Sequence, residues 1–380
     1  MMQKLPTEPH HSDSTKLASD MFLELIITSY DSIRTAVGSE NANKVLHPHF
    51  ENCGKAGYYN VGAGLDLPEA EKLMKFWLWS NHAVTKSCVK GSYTESSVML
   101  EDKNCPFEGK VPELCHGYCQ TAAEASIREI WPECNFSQIP GDDSNEHTCR
   151  WMAFIVRDNH MPSKTPNEKE AKSILEDLSA DYFDWLAHAI PGELLVIATR
   201  AMIEIMDQDK TSLITLPRFN RCGMDFATRY LQHFGLGKGD AESMSKIIET
   251  ICSAQNQKNR FLRIEKECAV GEIRECPYSD SPDLLCRQFE AFLNGVCSRF
   301  NPDFVFKYEQ MMTHGDQYCT WKIVRKDIAQ SQKSDRPITK ENDEHPQMIL
   351  MRRLARGEIS IKEYEELKAF IASEMMKPSK

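Results

Sequence analysis

Two tandem copies of an α+β domain, each opening with helices and closing on an antiparallel sheet, followed by a helical hairpin, are what this sequence predicts. Three observations carry the prediction. Eight of the 14 cysteines fall into four pairs 169 to 171 residues apart: Cys53 with Cys222, Cys105 with Cys276, Cys115 with Cys286, and Cys149 with Cys319. Their neighbours repeat as well. Pro48, Phe50 and Gly54 answer Pro217, Phe219 and Gly223, Cys105-Pro106-Phe107 answers Cys276-Pro277-Tyr278, and Cys149-x-Trp151 answers Cys319-x-Trp321. Within each copy, apolar residues at helical spacing come first and short strand patterns later, without the strand–helix alternation of a doubly wound sheet.

Taken in order, residues 1–16 are polar and proline-containing and read as a disordered leader. The first repeat is expected over 17–157. Phe22, Leu25, Ile26, Ile33 and Val37 recur at helical spacing, and a second helical stretch leads through Phe50 and Cys53 to the Gly62-x-Gly64 break. Leu67-Pro68-Glu69-Ala70-Glu71 is a helix start, with proline and acids in the first turn, and it sends Leu73, Met74, Trp77 and Leu78 inward. Val98-Met99-Leu100 predicts a strand. Pro112-Glu113 opens a helix through Cys115 and Ile127, and Pro140-Gly141-Asp142-Asp143 turns a hairpin between Phe136 and the strand from Cys149. Residues 158–189 are a linker and connecting helix, 190–325 the second repeat, and 326–346 a charged, flexible tether. Residues 347–375 regain helical periodicity as a two-helix tail, with Ser360 and Glu363 placed as a capping box.

Composition limits the function classes. A chain of 380 residues with 41% hydrophobic and 27% charged residues can bury a core in each copy. The net charge of -11 argues against nucleic-acid binding, which needs a basic face to displace counterions. There is no run of 18 apolar residues and no apolar signal segment, so neither a membrane span nor export is expected, and the protein is expected to be cytoplasmic.

Fourteen cysteines in such a chain point to free thiols, metal ligands or catalytic groups rather than disulfides. If the repeated thiols converge, Cys53, Cys105, Cys115 and Cys149, and likewise Cys222, Cys276, Cys286 and Cys319, form candidate zinc ligand sets. Core packing and a nucleophilic thiol are the other two readings. The richest local cluster is Cys115-His116-Gly117-Tyr118-Cys119, where positions 115 and 119 share a helical face and Cys115 falls in a first turn, whose dipole lowers a thiol pKa. Cys115 is thus the candidate nucleophile and His116 its candidate base. The second copy keeps Cys286 but neither His116 nor Cys119. Trp151 and Trp321 are read as core anchors or as walls of apolar ligand pockets.

Cys105-Pro106-Phe107, Leu114-Cys115, Cys149-x-Trp151 and the fuller Gly315-Asp316-x-x-Cys319-x-Trp321 resemble the L-2-amino-thiazoline-4-carboxylic acid hydrolase-like domains and, more distantly, the 4-vinyl-reductase-type small-molecule-binding domains. The first resemblance implies hydrolysis of a C–N bond in a cyclic substrate. The second implies a small-molecule or metal-binding sensor with two ligand pockets. Leu354 to Tyr364 resembles the short C-terminal domain found at the end of many proteins, which implies homo-oligomerisation through the tail.

Overall fold

The computed structural model describes residues 11–58, 66–85, 88–103, 105, 107, 113–139, 148–155, 168–169, 180–234, 239–255 and 257–329. The C-terminal helical hairpin expected at 347–375 lies outside the described residues. The two expected copies are present, each with helices ahead of an antiparallel sheet. The first comprises α1 (His11–Val37), α2 (Ser39–Gly57), α3 (Glu69–Thr85), β1 (Cys88–Thr94), β2 (Ser97–Lys103), a π-helical stretch (Glu113–Cys119) running into α4 (Gln120–Ile130), β3 (Asn135–Ile139) and β4 (Thr148–Phe154). A two-residue strand, β5 (Glu168–Lys169), follows. The second copy comprises α5 (Ala180–Met206), α6 (Gln208–Phe234), α7 (Ala241–Ala254), β6 (Lys258–Ile264), β7 (Cys268–Glu275), α8 (Asp283–Phe300), β8 (Phe304–Gln310) and β9 (Cys319–Arg325).

The two sheets share one topology. The first has the order β3-β4-β2-β1, with β5 added at its β1 edge, and the second read the same way is β8-β9-β7-β6. Every pairing is antiparallel. Register matches too: Trp151 stands opposite Leu100 and Trp321 opposite Gly271.

Helix boundaries follow local chemistry. Asp240 caps α7 by accepting from the Ser243 amide at 2.9 Å. Between α1 and α2 the chain turns at Gly38, φ 79° and ψ 157°, a conformation that only glycine adopts without strain. The same corner between α5 and α6 is made by Asp207 at φ 70°, whose carboxylate offsets part of the strain by accepting from the Lys210 amide at 2.9 Å.

Helix α5 extends the repeat upstream of the shared cysteines. It has 27 residues, as α1 has, and its ends lie 169 positions beyond those of α1. In position along the chain α5 is therefore the counterpart of α1, which starts at His11. These two helices cross over: α1 packs against α5 and against α6 and α7 of the second copy, while α5 packs against α2 and α3 of the first. Met21, Phe22, Leu25, Ile26, Tyr30 and Ile33 form the buried stripe of α1 and join one core with Leu194, Leu195, Ala198 and Met202 of α5. At fully buried positions each such side chain contributes roughly 1.5–3 kcal/mol. The ion pairs across this contact, Arg218 with Asp31 at 2.8 Å and Arg229 with Glu24 at 2.7 Å, are a third to a half exposed and add little. A buried chain from Thr199 to Gln288 at 2.9 Å and on to Thr215 at 3.3 Å fixes α5, α6 and α8 together. A second core, made of Leu73, Met74, Trp77, Leu100, Ile127 and Trp151, fills the space between α3, α4 and the first sheet. No helix among the described residues is long and apolar enough to cross a membrane.

Candidate functional site

Each repeated cysteine sits in a specific local structure. In both copies the Cys-Pro-aromatic motif folds so that a backbone amide two residues on donates to the thiol, Phe107 to Cys105 and Tyr278 to Cys276. Gln257 also donates to Cys276 at 3.5 Å, Gln138 to Cys149 at 3.3 Å, and Thr313 to Cys286 at 3.5 Å. The Met312 amide donates to Cys319 at 3.2 Å. This last bond explains the Gly315-Asp316-x-x-Cys319 spacing: Gly315 at φ 89° ends a short 3₁₀ turn and Asp316 accepts from the Met311 amide at 2.9 Å, closing a loop against the thiol. Cys53 and Cys222, on α2 and α6, accept from the hydroxyls of Tyr118 and Thr28.

Three of the four repeated thiols in each copy come together. Cys105, Cys115 and Cys149 lie near one another and near Cys119, and Cys276, Cys286 and Cys319 near Cys252, close enough for each charge to raise its neighbours' pKa. Cys53 and Cys222 stand apart on their helices. The zinc expectation is corrected. Among the described residues no group of three or more His, Cys, Asp or Glu is placed to hold a metal ion, so Cys53, Cys105, Cys115, Cys149, Cys222, Cys276, Cys286 and Cys319 are not assigned as ligands. Neutral donors hold Cys53, Cys105, Cys149, Cys222, Cys276, Cys286 and Cys319 individually, and burial pushes Cys53, Cys105, Cys222 and Cys286 up to about 12, which keeps them protonated.

Stability should consequently fail on the alkaline side. A thiol in the unfolded chain releases its proton near about pH 8.5, whereas these four hold theirs to about 12. Folding thus binds protons across that window, and the stabilisation present below it is lost as pH rises through it. Urea midpoints are expected to fall progressively above about pH 9. A midpoint that stays level to pH 11 would refute the buried-thiol assignment.

One cavity organises the first copy. Its interior holds about 80 Å³, it is partly open to solvent, and it is walled by Cys53, Gly54 and Gly57 of α2, Phe76, Trp77 and Ser80 of α3, and Phe107. Tyr118, Cys119, Ala122, Ala123 and Ser126 form the opposite wall, with Trp151 from β4 and Ile190 from α5 completing it. Among the described residues no charged side chain lines it. Ile190 belongs to the crossed-over helix, so the second copy supplies part of the first copy's wall. Trp151 is on this wall, and Cys119 is too; Cys115 is not among the described residues lining it. The His116 side chain lies outside the described set.

Comparison of the copies shows how the cavity arises. Helix α2 crosses α4 so closely that a Cβ on Gly54 would overlap the Ala122 carbonyl, and α6 crosses α8 so that a Cβ on Gly223 would overlap that of Phe292. These contacts make Ala122 the counterpart of Phe292, 170 positions apart, whereas Cys115 and Cys286 are 171 apart. The π-helical stretch Glu113–Cys119 absorbs the extra residue, since a π turn takes one more residue than an α turn. Gly57 likewise corresponds to Phe226. Phe226 and Phe292 are fully buried with ring centroids 5.5 Å apart, so the second copy places two aromatic rings where the first has Gly57 and Ala122.

The two tryptophans differ in the same sense. Trp321 is 0% exposed, lies across Gly271, and donates from Nε1 to Asn259 Oδ1 at 2.9 Å. Trp151 is 5% exposed, but its Nε1 is buried without a hydrogen-bond partner among the described residues. No protein-family model matches the chain, and neither a curated protein nor a solved structure is significantly similar to it. What stands is the internally duplicated α+β architecture with a cavity in its first copy; the hydrolase and reductase-type resemblances rest on their short motifs alone.

Proposed function

We propose that this protein binds a small, uncharged, largely apolar molecule in the cavity of its first copy, and that the second copy serves as a scaffold. The observation that carries this reading is the contrast at matched positions: Gly57 and Ala122 leave space that Phe226 and Phe292 occupy in the other copy. Ligand sites are concave and mostly apolar with few polar groups, and this wall has that make-up. Its thiols support binding over thiol chemistry. Burial holds Cys119 well above the usual thiol range and Cys53 up to about 12, and a protonated thiol is a poor nucleophile.

The test transfers the second copy's residue to the first. Ala122→Phe should fill the cavity and abolish binding of neutral aromatic probes such as acetophenone, measured by saturation-transfer NMR, while the far-ultraviolet circular dichroism stays that of the parent. Probe binding that survives the substitution undiminished would refute the site.

A further inference from the structure

We infer that Trp151 is the specificity determinant of this cavity, its indole N–H reading a carbonyl-type oxygen on an otherwise apolar, neutral ligand. The inference rests on the binding reading above and deepens it.

The second copy displays the interaction that the first lacks. There the tryptophan of the last strand donates to an amide oxygen, Asn259 Oδ1, at 2.9 Å. Asn259 stands on β6 opposite Ile273, which in turn pairs with Cys319. The same walk in the first copy runs from Cys149 to Asp102 and on to Val89 of β1. Valine carries no acceptor, so the residue that satisfies Trp321 has no equivalent for Trp151. The strand opposite differs as well: Leu100 occupies the position of Gly271, over which the Trp321 ring lies, so Trp151 cannot adopt that placement.

A buried indole N–H without a partner is costly to leave unmade. Trp151 is 5% exposed, its Nε1 has no partner among the described residues, and its side chain lines the cavity. Trp77, Ser126 and Tyr118, which also line the wall, are already engaged. Ser126 Oγ accepts from Trp77 Nε1 at 3.3 Å and donates to the Ala123 carbonyl at 2.8 Å, and the Tyr118 hydroxyl is turned to the Cys53 thiol. A buried water needs two to four polar partners, and this wall offers few. A ligand oxygen placed where Asn259 Oδ1 sits in the second copy would satisfy the donor. The described residues of the wall carry no charge, which selects a ketone, ester or amide over a carboxylate.

The experiment uses a shape-matched pair on the full chain, acetophenone and α-methylstyrene, which differ in C=O against C=CH₂. Wild type should bind the ketone about tenfold more tightly than the alkene, and the Trp151 indole Nε1–H resonance should move downfield with the ketone only. Trp151→Phe should bind both alike. Val89→Asn, which restores the acceptor found in the second copy and leaves Trp151 in place, should also lose the preference. Equal affinities in wild type, or a preference that persists in both variants, overturns the role of Trp151 while leaving the cavity as a binding site. Failure of both probes to bind wild type overturns the binding reading itself.

Discussion

Replacing Gly223 by alanine is expected to cost about 3 kcal/mol of stability and to lower the urea midpoint accordingly, a large effect for a single methyl group. An added Cβ would overlap the Phe292 carbonyl oxygen, and the Val296 amide nitrogen would lie 3.1 Å away. Both obstacles are backbone of α8, so neither can swing aside as a side chain would. The helices would have to separate, and α8 carries Gln288, which ties α5 and α6 together. Gly295 meets the backbone of Asn220 from the other side of the same crossing, so the two glycines form one close contact. Equilibrium urea unfolding of Gly223→Ala beside wild type measures the effect; a midpoint within experimental error of wild type would mean that the crossing is looser than described.

The second large effect is at Phe292 itself. Phe292→Ala should lose about 3–5 kcal/mol, because the ring is fully buried and its removal leaves a cavity that the surroundings fill only in part. The same substitution should create in the second copy a space like that lined by Ala122 in the first, and acetophenone should then raise the melting temperature of the variant more than that of wild type. A stability loss without any gain in probe response would show that Phe226 and Tyr230, which already touch, collapse into the gap.

Much of the architecture was legible where a local signal and a repeat agreed. Pro68 and the acids after it marked the start of α3, and the buried face of that helix is the one its periodicity gave, Leu73, Met74, Trp77 and Leu78. Strand β1 went unrecognised because Cys-Val-Lys-Gly-Ser-Tyr-Thr carries neither clean alternation nor an apolar run, and its place is set by pairing to β2 on one side and β5 on the other. The π-helical stretch had a trace in the sequence, the drop from 171 to 170 in the spacing of the repeat, but no residue between Cys115 and Ala122 advertises it. Cys119 illustrates the consequence. Counted forward from Cys115 it matches Glu290, and counted back from Ala122 it matches Phe289. The cavity was hidden for a related reason: nothing in Gly57 or Ala122 alone says that they face one another, and emptiness appears only when Phe226 and Phe292 are seen at the same places. The apolar stripe on α1 predicted burial correctly, yet amphipathicity names no partner, so its crossover with α5 could not be read from periodicity.

That crossover bears on how two unequal halves can share one chain. A polypeptide with a single copy would have to borrow its missing helix from another molecule, giving a closed twofold pair whose assembly depends on concentration. Joining the halves covalently makes the exchange intramolecular and independent of dilution. It also releases a constraint that symmetry imposes. Identical subunits must accept every substitution twice, so a ring that plugs one chamber plugs both; within a fused pair one half can trade its chamber for rigidity while its neighbour keeps an opening and leans on the stiffened partner, through Ile190, for part of its wall.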